Sequence, residues 1–318
     1  MIPAMRAVVV TRFGGPEVLE VRDEPESVVG PDDLLVAPDA IGVNYRDIYE
    51  REGRYGGEAP LVNGVEGAGT VLAGAREGER VAWLAAPGSY AERVRVPAGR
   101  AVPVPGEVST ETAAAALLQG VTAHYLATTV HPVQAGETVL IHAAAGGVGL
   151  LLTQMAKKFG ARVIATTSGG VKAELAHEAG ADEVIGYEGF GERVGELTGR
   201  EGVAAAYDGV GQATFDESLA SVRTRGTMVL FGAASGPVPP FDPMRLEREG
   251  SLFLTRPGLR DYSSDRQELL ARAADVFSWV ADGSLEVRIG GRYPLAEARR
   301  AHEDLAARKT TGKLLLVP

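Results

Sequence analysis

"VLIHAAAGGVG", residues 139–149, changes character in the middle: an apolar run of strand type gives way to alanine and glycine before a helical pattern resumes. A strand ending at His142 or Ala143, a turn of small residues and then a helix bring backbone N–H groups and the positive end of a helix dipole around a small volume. That volume suits a pyrophosphate. In the dinucleotide fingerprint one glycine makes the tight turn, a second lets the chain approach the phosphates and a third lets the helix pack on its strand. Here Gly146 and Gly149 fill the second and third places, Gly147 and Val148 lie between them, and Ala144 stands at the first, giving A-x-G-x-x-G. The competing reading is a strand-helix turn shaped only for packing. The strand before it, the helix after it and the βαβ continuation of the chain favour binding.

After the turn comes a helix over 147–159, then "RVIATT", a helix near 172–179, "EVIG", "AAAYDGVG", a helix over 215–222 and "GTMVLFG". Strands alternating with amphipathic helices are the signature of βαβ units on a parallel sheet. Before about residue 113 the texture differs. Short β-type runs such as "RAVVVTRF", "DLLVAPDAIGV", "ERVAWLA" and "AERVRVPA" are separated by Gly and Pro, which predicts a compact, mostly β unit. The first four residues precede this pattern. Beyond residue 254 the chain predicts a helix over 266–281 and a short strand-helix-strand ending in "GKLLLVP".

The second strand of the α/β region says which dinucleotide. In an NAD site an acid near its end binds the ribose 2′-OH. Here the strand runs into "ATTSGGVKAE", with no acid before Glu174. Thr167, Ser168 and Gly169 leave room for a 2′-phosphate and Lys172 supplies positive charge, so the expected cofactor is NADPH.

Bulk properties narrow the partners. The chain has 318 residues, 45% hydrophobic and 23% charged, with a formal charge of −10 and no cysteine. An acidic balance gives no broad basic field for nucleic acid or anionic lipid. The absence of thiols excludes disulfides and thiolate metal sites and fits a reducing compartment. The start lacks a secretory pattern and no apolar run is long enough to span a bilayer, so a soluble cytoplasmic protein is expected.

Several stretches, in order along nearly the whole chain, carry a family resemblance: "GVNYRDIYEREGRY" (42–55), "GVEGAGTV" (64–71), "GSYAE" (88–92), "QGVTAHYL" (119–126), "AAAGGVG", "YDGVGQATFDESL" (207–219), "SLFLTRPGL" (251–259) and "ARKTTGKLLL" (307–316). The chain resembles the zinc-independent, zeta-crystallin-like quinone oxidoreductases of the medium-chain dehydrogenase/reductase superfamily. The resemblance implies an α/β architecture: a GroES-like β-barrel catalytic domain over 1–121 and 265–318, and a Rossmann NADPH-binding domain over 122–264, with the active site in the cleft. It also implies a homodimer paired through the Rossmann sheet edge at 251–255.

By the same resemblance Asn44 contacts the nicotinamide side of the cofactor, and Tyr49 and Tyr55 line the acceptor site, where either phenol can hydrogen-bond a reduced carbonyl oxygen. Tyr187 and Arg308 embrace the 2′-phosphate with Lys172, and Gly211 lies on a loop beside the cofactor. Zinc-dependent relatives place cysteine and histidine at a catalytic metal; here Asn44, Tyr45 and "GVEG" stand in those segments. The five histidines lack ligand spacing, so no metal is expected. The implied reaction is metal-free hydride or electron transfer from NADPH to a quinone. Reduction of an alkenal or enone double bond, or a non-catalytic, crystallin-like NADPH-binding role, is the alternative. Asp47 reads as a helix N-terminal or a buried structural acid, Glu66 as a buried structural acid, and His124 and His142 as satisfied structural histidines.

Overall fold

The structure is a computed structural model that describes residues 4–318. Of the four residues expected to precede the core pattern, 1–3 lie outside the described residues, and Ala4 opens the first strand. The chain divides into two compact units, 4–121 with 265–318, and 122–264.

The first unit begins with eight strands: β1 (Ala4–Val10), β2 (Leu19–Pro25), β3 (Asp33–Val43), β4 (Leu61–Val62), β5 (Gly67–Ala73), β6 (Arg80–Trp83), β7 (Val94–Pro97) and β8 (Ala101–Pro103). In β1, Met5 and Ala7 are buried while Ala4 and Arg6 are exposed, the period of two that one covered face requires. One short helix, α1 (Tyr45–Arg51), follows β3, and α2 (Thr110–Tyr125) follows β8.

The second unit holds β9 (Thr138–Ile141), β10 (Arg162–Thr166), β11 (Glu183–Ile185), β12 (Val203–Asp208), β13 (Val222–Leu230) and β14 (Phe253–Thr255). Between them lie α3 (Gly147–Lys158), α4 (Val171–Glu178), α5 (Phe190–Leu197), α6 (Phe215–Ala220) and α7 (Met244–Arg248). All pairings are parallel and the order is β11-β10-β9-β12-β13-β14. Every residue of β12 is buried, as a central parallel strand covered on both faces requires. Its neighbour β9 is where the strand order reverses, and the crevice beyond the carboxyl end of such a strand is where dinucleotides bind. The glycine turn sits there.

The chain then re-enters the first unit with α8 (Arg266–Ala281), β15 (Ile289–Pro294), α9 (Ala298–Ala306) and β16 (Lys313–Val317). β16 pairs antiparallel with β3 and parallel with β15, completing the sheet β15-β16-β3-β5-β6-β8, with β7 also on β3. One apolar cluster gathers Leu34, Val36, Val81 and Trp83; another gathers Ile41, Val43, Tyr90, Ala301 and Leu316. The C-terminal strand therefore shares a core with β3 and α9.

Candidate dinucleotide and acceptor site

In the second unit the chain leaves β9 through His142 and turns at Ala143, whose φ of 51° is left-handed. A Cβ on Gly149 would stand 2.4 Å from the Ala143 carbonyl oxygen and 2.7 Å from the Ala144 Cα, so only glycine lets α3 pack this closely on the turn. At Gly146, the N-cap of α3, the corresponding distance to the Ala143 oxygen is 3.1 Å. Gly147, Val148 and Gly149 form the first turn, whose N–H groups have no acceptor within their own helix. The Ala144 N–H is bonded to the Thr166 carbonyl at 3.1 Å, so Ala144 serves the turn through packing.

Beneath the turn lies a buried polar network. Asp208 accepts from the N–H groups of Val210 and Gly211 at 2.8 and 2.9 Å and from the hydroxyls of Thr214 and Ser218 at 2.7 and 2.9 Å. Since Ser218 donates to Asp208, it accepts from His142 Nε2 at 2.8 Å, and His142 Nδ1 then accepts from the Thr166 hydroxyl at 2.7 Å. Burial holds the His142 pKa below its usual value, against the charges of Asp208 and Glu217. The histidine is neutral scaffolding, and the carboxylate shapes the loop that carries Gly211, which adopts a φ of 88°.

A depression of about 320 Å³ is lined by Thr167, Ser168, Gly169, Ala173, Val184, Ile185, Gly186, Tyr187 and Glu188. Four of the residues expected to surround a 2′-phosphate meet here or beside it: Thr167, Ser168 and Tyr187 in the lining, and Lys172 next to Ala173 at the start of α4. Arg308 belongs to the first unit, exposed after α9 with a left-handed φ of 56°. Glu188, the acid in the lining, was not singled out from sequence.

In the first unit the residues expected at the acceptor side lie on α1 and around its ends. Asn44 is its N-cap, and the Asp47 carboxylate accepts the Asn44 N–H at 2.8 Å. The Asn44 side chain is buried in a charged cluster: Nδ2 donates to Glu66 Oε1 at 2.6 Å, and Oδ1 accepts from Lys313 Nζ at 2.9 Å and from Gln119 Nε2 at 3.4 Å. Lys313 also pairs directly with Glu66, and both are buried. A carboxylate only accepts and an ammonium only donates, so the amide orientation of Asn44 follows from its neighbours.

Tyr49, half-buried on α1, stands 6.2 Å from the Tyr45 ring and 6.3 Å edge-on from Tyr55. Tyr55 is 59% exposed, with Arg46 5.4 Å from its ring centroid, and Arg54 lies 4.9 Å from that of Tyr49. The helix is held from below by a chain of buried groups. Arg51 donates to His302 Nδ1 at 3.3 Å, which places the ring proton on Nε2 toward Tyr90 Oη at 3.1 Å; Tyr90 then donates to Asp47 at 3.0 Å. Burial raises the Asp47 carboxyl to about 7 against the lowering effect of Arg46, and burial beside Arg51 lowers His302 to about 3. Neither Lys313 nor His302 stands out in sequence; the register of β16 on β3 brings in the first and the amphipathic face of α9 the second.

Among the described residues no group of three or more His, Asp or Glu side chains is placed to hold a metal ion, and no helix is long and apolar enough to cross a membrane. Residues 147–274 match the family model described as zinc-binding dehydrogenase, and residues 30–106 match the alcohol dehydrogenase GroES-like domain. A Pseudomonas aeruginosa quinone oxidoreductase is 42% identical over 96% of this chain and 97% of its own. A mycobacterial protein solved with NADPH is 51% identical, covers 99% of this chain and 100% of its own, and superposes with a TM-score of 0.96. A Burkholderia 2-haloacrylate reductase is 36% identical over 98% of both chains. Two domain models in the right order, full-length relatives and the parallel sheet with its glycine turn agree: the chain belongs to the quinone oxidoreductases of the medium-chain dehydrogenase/reductase superfamily.

Proposed function

We propose that this protein is an NADPH-dependent quinone oxidoreductase. The observation that carries the cofactor is the pairing of a glycine cradle, which a Cβ at Gly149 would fill, with a depression after β10 whose strand end offers threonine, serine and glycine in place of an acid. In this reading Gly146, Gly147, Val148 and Gly149 receive the pyrophosphate, with Gly211 on the neighbouring loop. Thr167, Ser168, Lys172 and Tyr187 hold the 2′-phosphate together with Arg308, and Asn44 meets the nicotinamide side. When bound, NADPH supplies a hydride from its nicotinamide ring.

The chain's own part is orientation and proton placement. A quinone that takes a hydride needs one further proton to become a hydroquinone, and Tyr49 and Tyr55 line the acceptor site, where a phenol hydrogen-bonds the reduced oxygen. No metal is invoked, because the acceptor is already electrophilic. The likeness to a 2-haloacrylate reductase favours a second substrate class, activated carbon–carbon double bonds, at the same site.

The reading includes a homodimer. β14 is the outermost strand of its sheet and Phe253 on it is 63% exposed, an apolar edge that pairing with a second copy would cover. It also includes a cytoplasmic location, consistent with a chain that has no cysteine. Following the absorbance of reduced nicotinamide with a small quinone and separately with an unsaturated aldehyde, each with NADPH and NADH, tests the assignment. Fast turnover of quinone with NADPH supports it, preference for the aldehyde promotes the second reading, and no turnover of either removes both.

A further inference from the structure

Lys313 and Glu66 form an ion pair with almost no exposure on either side chain. Removing two charges from water is expensive, and an apolar pair of similar volume is commonly at least as stable, so stability alone is a poor reason for this one. The surroundings point to another. A Cβ on Gly42 would lie 2.3 Å from Glu66 Oε1 and 2.5 Å from its Cδ, so β3 makes room for the carboxylate. Both charges converge on one neutral group, the carboxamide of Asn44, and each fixes a different end of it. Glu66 Oε2 and Gln119 Oε1, both buried, receive no protein hydrogen bond among the described residues.

We propose that Lys313 is a positioning residue: paired with Glu66, it locks the Asn44 carboxamide in one orientation and thereby sets how the nicotinamide end of the cofactor is held. This rests on the assignment of NADPH as the cofactor. With the ammonium gone and the carboxylate replaced by an amide, which can donate or accept, nothing charged fixes either end, and the Asn44 amide can rotate by half a turn, exchanging donor for acceptor on the face it presents. The adenosine end, assigned to residues of the second unit together with Arg308, makes no use of the Asn44 carboxamide and is untouched by that exchange.

The test compares wild type, Lys313→Met and the double variant Lys313→Met/Glu66→Gln. The double variant removes the carboxylate that the single change strands in the interior. Its melting temperature should return toward wild type. Affinity for adenosine 2′,5′-bisphosphate, which lacks the nicotinamide, should match wild type, while NADPH binding by fluorescence titration should weaken about tenfold. Turnover should fall about tenfold to a hundredfold, with a larger primary isotope effect from NADPH deuterated at the transferred position. A loss of folded protein would lower turnover and leave that isotope effect unchanged.

The inference is overturned if the double variant keeps wild-type NADPH affinity, or if bisphosphate and NADPH affinities fall by the same factor. Wild-type protein that binds neither nucleotide would instead remove the cofactor reading, and this inference with it.

Discussion

The phenol oxygen of Tyr187 accepts a hydrogen bond from the backbone N–H of Ala143 at 3.0 Å. The contact ties the loop after β11 to the glycine turn after β9, and it meets the turn at its one left-handed alanine. In the proposed site this hydroxyl also meets the 2′-phosphate, which would give it two tasks, one as a prop for the glycine turn. Tyr187→Phe should therefore cost about 1 kcal/mol of stability and weaken NADH as well as NADPH. Thermal melts with titrations of both nucleotides check this; loss confined to NADPH would leave the prop without a role in binding.

Gly149→Ala is expected to be more severe than a methyl group would be elsewhere on α3. The atoms it meets are backbone, the Ala143 oxygen at 2.4 Å and the Ala144 Cα at 2.7 Å, and they yield only if the helix moves away from the turn. Overpacking of this kind costs about 1–3 kcal/mol, and the displaced helix should lose dinucleotide binding while the far-ultraviolet circular dichroism stays native. Unchanged NADPH affinity in a folded variant would contradict the cradle.

The parallel sheet was legible because its signals are local: periodicity, a glycine turn and strands whose small and apolar residues leave no choice of face. α8 falls over Arg266–Ala281, as its pattern predicts. Shorter elements were hidden for physical reasons. α5 (Phe190–Leu197) has only two turns, and the glycines at 189, 191 and 195 read as loop. β13 starts at Val222, four residues before the strand its apolar run suggests, because Arg223, Thr224 and Arg225 sit in it and Arg225 is itself left-handed. The same limit applies at the site. Asn44 and Glu66 could be singled out individually, but their link to Lys313 spans 269 and 247 residues and exists only through the pairing of β16 with β3.

Selectivity between the two nicotinamide dinucleotides tests the charged residues assigned to the 2′-phosphate. Lys172→Ala and Arg308→Ala should each weaken NADPH about tenfold, the size of a charge-assisted contact to phosphate, and leave NADH within about twofold. Equal losses for both nucleotides would remove the assignment. Glu188, in the same lining, acts in the opposite sense, and Glu188→Gln should tighten NADPH.

The chain Arg51, His302, Tyr90, Asp47 beneath α1 carries two opposed titrations. Burial raises the Asp47 carboxyl from 3.8 to about 7, so between those values the folded protein holds a proton that the unfolded chain has released, and stability falls as pH rises through that window. Burial and Arg51 lower His302 from 6.5 to about 3, so between those values the unfolded chain holds the extra proton, and stability falls as pH drops. Over the shared window the two slopes cancel in the wild type. His302→Gln removes one side of the balance, and its stability relative to wild type should decline by about 1.4 kcal/mol per pH unit as pH rises. Asp47→Asn should decline by a similar amount per unit as pH drops. Taking each variant as a difference from wild type removes the common contribution of Glu50, whose carboxyl burial also raises, and of the fixed charges of Arg46 and Arg51. Denaturant unfolding at a series of pH values measures both slopes. Parallel curves for the two variants, or slopes of the same sign, would mean that this buried chain does not titrate as a balanced pair.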